Sequence, residues 1–522
     1  MQASLSNEDM FFSEARELFE EIVDWLSSDS ACGLEHGELE NMLLENGYEL
    51  LRQLLQGYFN RRSDDEIEGE CLGSDEVKRT HKKRLTRQLT TLFGTITVNR
   101  IGYGGRKITS LNPLDAELNL PVSKYSHGLR ERTASEVARN GFGETVEIIQ
   151  KTTAAKIGKR QVEELARLSA SDFDEFYHQR LAQSVEWPQK GEIVVISVDG
   201  KGVVMRTEDL RANTKKRALA SSQKLNKRLT KGEKRNSKRM ATVASVYNID
   251  PFVRTAQQIV NPEALAQDKK DLKRPLPHRK RVWASVVKEP EAVIKEAFDE
   301  VLHRDPHQQK RFCALVDGNK TQLSLLNKFA SKHNINLTIV LDIIHVIEYL
   351  WKAAFALYSH TSKQAEAWVS KRILLILEGK SSTVAAGIRR SATLRKLTPS
   401  ERKPLDTCAN YLLNNSAYLK YHDYLKAGLP IATGVIEGAC RHLIKDRMDI
   451  TGARWSLKGA EAVLHLRSLY LSGDWHEYWC FHLKQEHKRN HLALYKDGIP
   501  VLKRLINARC STTAAPALAI PI

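Results

Sequence analysis

A chain of 522 residues with 42% hydrophobic and 27% charged residues can build three or four units with cores of their own. No run reaches the ~18 apolar residues of a membrane span, and the acidic opening MQASLSNEDMFFSEARELFEE lacks a basic-then-apolar leader, so a cytoplasmic protein is expected. Lys and Arg exceed Asp and Glu by 17, which favours a polyanionic partner, while the seven cysteines show no C-x-x-C pairing and speak against a zinc site or a disulfide framework.

Residues 1–80 read as a helical region, because SEARELFEEIVDWLSS and HGELENMLLENGYELLRQLLQGYFNRR repeat apolar residues at helical spacing. Residues 81–125 read as a small β element and loop. There TTLFGTITVNRIGYGGRK alternates before breaking at glycines, and LNPLDAELNLP is bounded by prolines. Residues 126–186 return to helical period, with a break at 156–159 before a helix opening near Arg160. That is either a helix-turn-helix presenting Lys159 and Arg160 to DNA or two packed helices joined by a turn.

From 187 the texture becomes β-branched. IVVISVDGKGVVMR predicts a strand to Asp199, a turn at Gly200 and a second strand; ATVASVYNI (241–249) is a third, RFCALVDG (311–318) a fourth and TIVLDIIH (338–345) a fifth. Between the second and third, residues 211–240 carry twelve Lys or Arg against one acid, Glu233. This basic arm, with Lys215, Lys216, Arg217, Lys227, Arg228, Lys234 and Arg235, is either a solvated excursion or a segment that orders on DNA phosphates. Residues 346–430 read as an all-α insertion, 431–475 return to the core, and 476–522 form a basic C-terminal tail.

Acids mark the strand ends: Asp199, Asp317 and Asp342, with Glu437 early in a later helix. Each has a plain reading, since Asp-Gly is a common turn pair and Glu437 can be an exposed helix residue. Together they fit an α/β, RNase H-like mixed sheet, in which the first strand is central, the fourth lies beside it and the fifth one further out. Adjacent strands are about 4.8 Å apart, and a pair of cations about 3.5–4 Å apart needs carboxylates from neighbouring strands. That geometry selects Asp199 and Asp317, with Glu437 reaching in from its helix, over Asp342. Hard Mg²⁺ (two ions, Mn²⁺ a substitute) suits such a set, and the acids would otherwise repel one another.

These residues also carry a resemblance. SVDGKGVVMR, ALVDGN, LDIIHVIEYLWKA and GVIEGACRHLIKDRMDITGARWSLKGAEAVLHLRSL resemble the core of bacterial insertion-sequence transposases of the ISKra group, relatives of the Mutator-like DDE transposases. The similarity runs over roughly 90–480. It implies an RNase H-like domain with Asp199, Asp317 and Glu437 as the catalytic, metal-binding triad, and an Asp-x-x-His pair, Asp342 and His345, in support. It further implies cleavage of double-stranded DNA at terminal inverted repeats and joining of 3′ ends to target DNA. Cutting two ends together makes a homodimer or higher oligomer the expectation.

Beyond the triad, Arg441 and Lys445 fall on the helical face of Glu437, with Arg447 and Arg454 nearby. They either bind phosphates or pair with Asp446 and Asp449. Trp455 is either a stacking surface for an unpaired base or a core residue. Two other functions stay open: a nuclease or resolvase of the same fold without strand transfer, and a DNA-binding regulator that has kept only the shell.

Overall fold

The computed structural model describes residues 10–66, 71–183, 190–220, 236–261 and 274–500. The chain divides into two compact units, the first of residues 1–133, 143–161 and 479–522, the second of 134–142 and 162–478.

In the first unit, helices α1 (Ser13–Leu26) and α2 (His36–Asp64) follow the apolar spacing. A capping box starts α2: the Glu38 carboxylate accepts from the Glu35 backbone N–H, satisfying a donor the helix leaves unpaired. A two-residue pair, β1 (Cys71–Leu72) with β2 (Lys78–Arg79), precedes an antiparallel sheet of β3 (His81–Thr91), β4 (Gly94–Gly105) and β5 (Ile108–Leu111). The expected β element is thus larger than its alternating stretch, because the basic run HKKRLTRQLTT pairs residue for residue with β4. Phe59 from α2 packs with Leu89, Ile96, Val98 and Leu120, and the loop expected at 111–121 contains a helical turn, Pro113–Glu117. Trp475–Asn490 is a helix, and its Glu486 takes two 2.6 Å hydrogen bonds from the buried Arg130 guanidinium.

The helices expected around residue 156 are present as α3 (Phe142–Thr152) and α4 (Lys159–Ser169). The division between units falls within α4, after Gln161, and Lys159 and Arg160 are exposed on the first-unit side.

The second unit is built on a five-stranded mixed sheet of β6 (Ile193–Val204), β7 (Lys238–Ile249), β8 (His278–Ser285), β9 (Arg311–Val316) and β10 (Leu337–Leu341), in the order β10-β9-β6-β7-β8. One expectation changes here, and one strand is new. The chain does not turn at Gly200: β6 continues through Asp199 and Gly200, which face Val243 and Thr242 across twelve consecutive pairs with β7. A long antiparallel partner overrides the local turn preference of Asp-Gly. Moreover, HRKRVWAS is a strand that its charges conceal. Arg281 is buried, donating to Glu300 at 2.7 Å with its guanidinium over the Tyr177 and Trp283 rings.

Ile193–Val198 is buried on both faces, as a central strand with a continuous apolar run must be. Helices α6 (Pro290–Arg304) and α7 (Lys320–Lys332) connect the outer strands, preceded by α5 (Ala212–Ala220) within the basic segment. The all-helical block begins with α8 (Ile343–Ala354) and includes α9 (Pro399–Asn414). Its core residues Leu405, Cys408 and Leu412 belong to one cluster with Ile193, Val195, Cys313, Leu315 and Val340 of the sheet. The block therefore covers one sheet face. After it come α10 (Gly434–Ala439), a π-helical turn over Cys440–Lys445, and α11 (Leu457–Ser472).

Candidate active site

Register brings three of the acids level. In the parallel pairs, Ser197 faces Leu315 and Leu341 faces Val316. Carrying these offsets forward sets Asp199, Asp317 and Asp342 in one row across β6, β9 and β10. Their alternation puts them on the face of Ile193, Val195 and Leu315, the face covered by the helical block. Strand spacing makes Asp199 and Asp317 neighbours about 4.8 Å apart and leaves Asp342 about 9.6 Å from Asp199.

Each carboxylate is held differently. Asp199 is half-buried; its Oδ1 accepts from the Gly200 N–H at 2.6 Å and its Oδ2 from the Cys440 thiol at 3.2 Å. Burial and then Asp199 push the Cys440 thiol up, so it remains a donor. Asp317 directly follows β9; its Oδ1 accepts from the Asn319 N–H at 2.9 Å and its carbonyl accepts from the Tyr411 hydroxyl at 3.0 Å. Gly318 follows at φ +90°, a backbone setting that favours glycine.

Asp342 is fully buried and caps α8 through the Ile344 N–H. It also accepts from the Thr433 hydroxyl at 2.5 Å and the Thr433 N–H at 3.2 Å. Thr433 is the residue before α10, the helix carrying Glu437. Asp342 thus fixes the start of that helix to the end of β10. Among the described residues no hydrogen bond joins the expected supporting pair, Asp342 and His345; His345 Nδ1 lies 3.9 Å from Glu348 Oε2. The buried oxygens of Asp342 are already taken by backbone and hydroxyl donors.

Helix α10 packs on β6 and β7, and the π-helical turn on β6. Glu437 is exposed. Although the residue is exposed, partial desolvation of its carboxyl, then Asp342, with Glu348 and Asp199, raises its pKa against the opposing pull of His345. Glu437 and Asp199 therefore feel one another's charge. Among the described residues, no three or more His, Cys, Asp or Glu converge to hold a metal ion as they stand. The donors still suit a hard cation, since Mg²⁺ takes only one or two protein carboxylates and fills its shell with water and phosphate oxygens.

The basic and aromatic candidates divide. Arg441, exposed, lies 3.5 Å from Asp446, which also takes the His442 imidazole at 2.9 Å. Lys445 is exposed, but the π-helical turn shifts it out of the simple i+8 relation to Glu437. Arg454 is exposed. Arg447 is not a surface residue: it is 3% exposed, lies 4.8 Å and 5.0 Å from the Phe142 and Trp455 rings, and donates to the Val137 carbonyl. Trp455 is also buried, its indole donating to the Met448 carbonyl, because residues 453–456 dock beside the end of β6 through hydrogen bonds at Val204 and Arg206. Both side chains are thus packed inside the fold. Lys215, Lys216 and Arg217 lie on α5, a helix rather than a loose arm, and Lys227, Arg228, Lys234 and Arg235 lie outside the described residues.

Thr433, Cys440 and Tyr411 join the site only in the folded structure. Cys440, three residues after Glu437, has a signal in its spacing; Thr433 and Tyr411 act across long stretches of sequence and have none.

No known protein family and no curated protein matches the sequence. Among solved structures, the chain is similar to the Drosophila P element transposase strand transfer complex, at 10% identity and a TM-score of 0.23, over 67% of this chain and 79% of that one. Among the described residues, no helix is long and apolar enough to cross a membrane.

Proposed function

We propose that the chain is a DDE transposase of the ISKra type with an RNase H-like catalytic domain, which cuts double-stranded DNA at the ends of its element and joins the 3′ ends to target DNA. The observation that carries this reading is the level pairing of Asp199 and Asp317 on adjacent parallel strands, with the Glu437 helix packed on the first of them. A net charge of +17 supports a DNA partner.

In this reading Asp199, Asp317 and Glu437 hold two Mg²⁺ ions, which when bound would activate the attacking water or 3′-hydroxyl and stabilise the leaving oxygen. The chain's own part is to orient the donors. The Gly200 N–H and the Cys440 thiol fix the Asp199 carboxylate, and the Asn319 N–H fixes Asp317. Glu437, its pKa raised, keeps a proton to higher pH than an ordinary glutamate and accepts one readily once ionised. Asp342 is a positioning residue that sets the Glu437 helix, and the exposed Arg441, Lys445 and Arg454 offer phosphate contacts. His345 acts on the site through its pull on Glu437.

The test is cleavage of duplexes carrying the DNA that flanks the coding sequence, in Mg²⁺, followed by joining of pre-cut ends with a free 3′-hydroxyl. Asp199→Asn, Asp317→Asn and Glu437→Gln should each lose both reactions and keep DNA binding. Full cleavage by Asp317→Asn would reject the triad, and cleavage without joining of pre-cut ends would reject transposition.

A further inference from the structure

A cavity of ≈ 490 Å³ opens directly beside Asp317. One wall is the strand-end segment Asp317–Lys320; the other comes from the helical block, through Tyr349, Tyr411, Asn414 and Tyr418. Its size is that of a small-ligand site, and the foregoing account of the carboxylates gives it no role.

The walls are cross-braced. Tyr411 donates to the Asp317 carbonyl at 3.0 Å, and Asn415 Nδ2 donates to the Tyr411 carbonyl at 2.9 Å. Tyr349 stacks on Tyr411 with ring centroids 4.0 Å apart and 19° between planes. At Gly318, a Cβ would stand 3.0 Å from Leu341 Cδ1, so the strand end lies tight against its neighbours. Into this frame project an exposed amide, Asn414, and an exposed cation, Lys320.

We propose that this pocket receives one unstacked nucleobase of a DNA strand whose backbone passes Asp317, with the tyrosines meeting the base and Asn414 its hydrogen-bonding edge. Aromatic faces accept any base, amides bond to base edges, and Lys320 stands where a neighbouring phosphate would run. A base turned out of the helix lets the backbone approach closer to the strand-end carboxylate than a stacked duplex allows. The helical block, on this account, supplies half of a nucleotide site to the sheet. The inference rests on DNA being the substrate of the Asp317 site.

The full chain would be titrated with a deoxythymidine hexamer and with an abasic deoxyribose–phosphate hexamer, by fluorescence anisotropy at low salt. The wild type should bind the base-bearing strand tighter by on the order of tenfold. In Tyr349→Leu and in Asn414→Leu that preference should largely vanish, with abasic affinity unchanged. Asn414 is exposed, so its substitution leaves the fold intact should Tyr349→Leu fail to fold. Equal binding of the two hexamers by wild type, or an undiminished preference in Asn414→Leu, would overturn the pocket. The assay needs no catalysis. A preference that disappears in the variants of a chain that cuts no DNA would support the pocket and reject the activity, and cleavage without any base preference would do the reverse.

Discussion

The buried Asp342 carboxylate accepts a 2.5 Å hydrogen bond from the Thr433 hydroxyl, 91 positions later in the chain. The contact ties the end of β10 to the beginning of the helix that carries Glu437. Hydrogen bonds to charged groups contribute about 1.5–3 kcal/mol, and Thr433→Val would leave the buried carboxylate one donor short. We expect that variant to lose stability by that amount, seen as a lowered urea midpoint at unchanged slope, and Thr433→Ser to recover most of it. An unchanged midpoint in Thr433→Val would remove the clamp.

Glu437 predicts a pH effect of definite sign. Its folded-state pKa lies above the ordinary 4.5, chiefly through partial desolvation and then Asp342. The folded state therefore binds more protons than the unfolded one, and stability falls as pH rises through the window just above that value. Glu437→Gln should be more stable than wild type near pH 7, with the difference closing as the pH drops below about 4. Urea melts at several pH values measure this, and a destabilised Glu437→Gln at neutral pH contradicts it.

The opposite sign holds at Glu300. Burial alone would raise its pKa, but Arg281 and Arg304 outweigh burial and hold it down at about 2. Its contribution is present above the unfolded value of 4.5 and is lost as pH falls toward about 2. Glu300→Gln leaves two buried guanidinium groups without their anion, a loss of about 3–5 kcal/mol. The check is thermal unfolding at pH 7, where the variant should melt well below wild type.

Salt dependence separates surface cations from buried ones. Lys216 and Arg217 are exposed on α5, and for every phosphate left without its cation the slope of log K against log salt should become shallower by about 0.9. Replacing both with Ala should flatten the slope accordingly. Arg447→Ala should leave the slope alone and lower stability by about 2 kcal/mol, the value of a desolvated cation–π contact. A flattened slope in Arg447→Ala would return that residue to the DNA surface.

What can be read in advance follows from what is local. The run IVVISV and the strands ending at Val316 and Leu341 announce themselves by apolar content, and the adjacency of β6 and β9 follows once the order of strands and helices is known. The turn expected at Gly200 fails because Asp-Gly carries a strong local preference that only a partner 40-odd positions away overrides. Strand β8 escapes notice because the ion pair that neutralises Arg281 comes from α6. Arg447 and Trp455 look like DNA ligands in a basic motif, yet their aromatic partner Phe142 lies some three hundred residues earlier. Tertiary pairing decides such residues, and no local pattern carries it.

The shared core of sheet and helical block has a further consequence for how the second unit comes apart. Leu405, Cys408 and Leu412 pack in the same cluster as Val195, Leu315 and Val340, so the interior of the block is continuous with that of the sheet. Excising it would strip one face of the sheet bare and leave the strand-end acids without their cover. The two parts should therefore form one cooperative foldon, whose amides exchange with solvent together rather than in two waves. Natural variation in this stretch would then be confined to its outward-facing positions and loop tips.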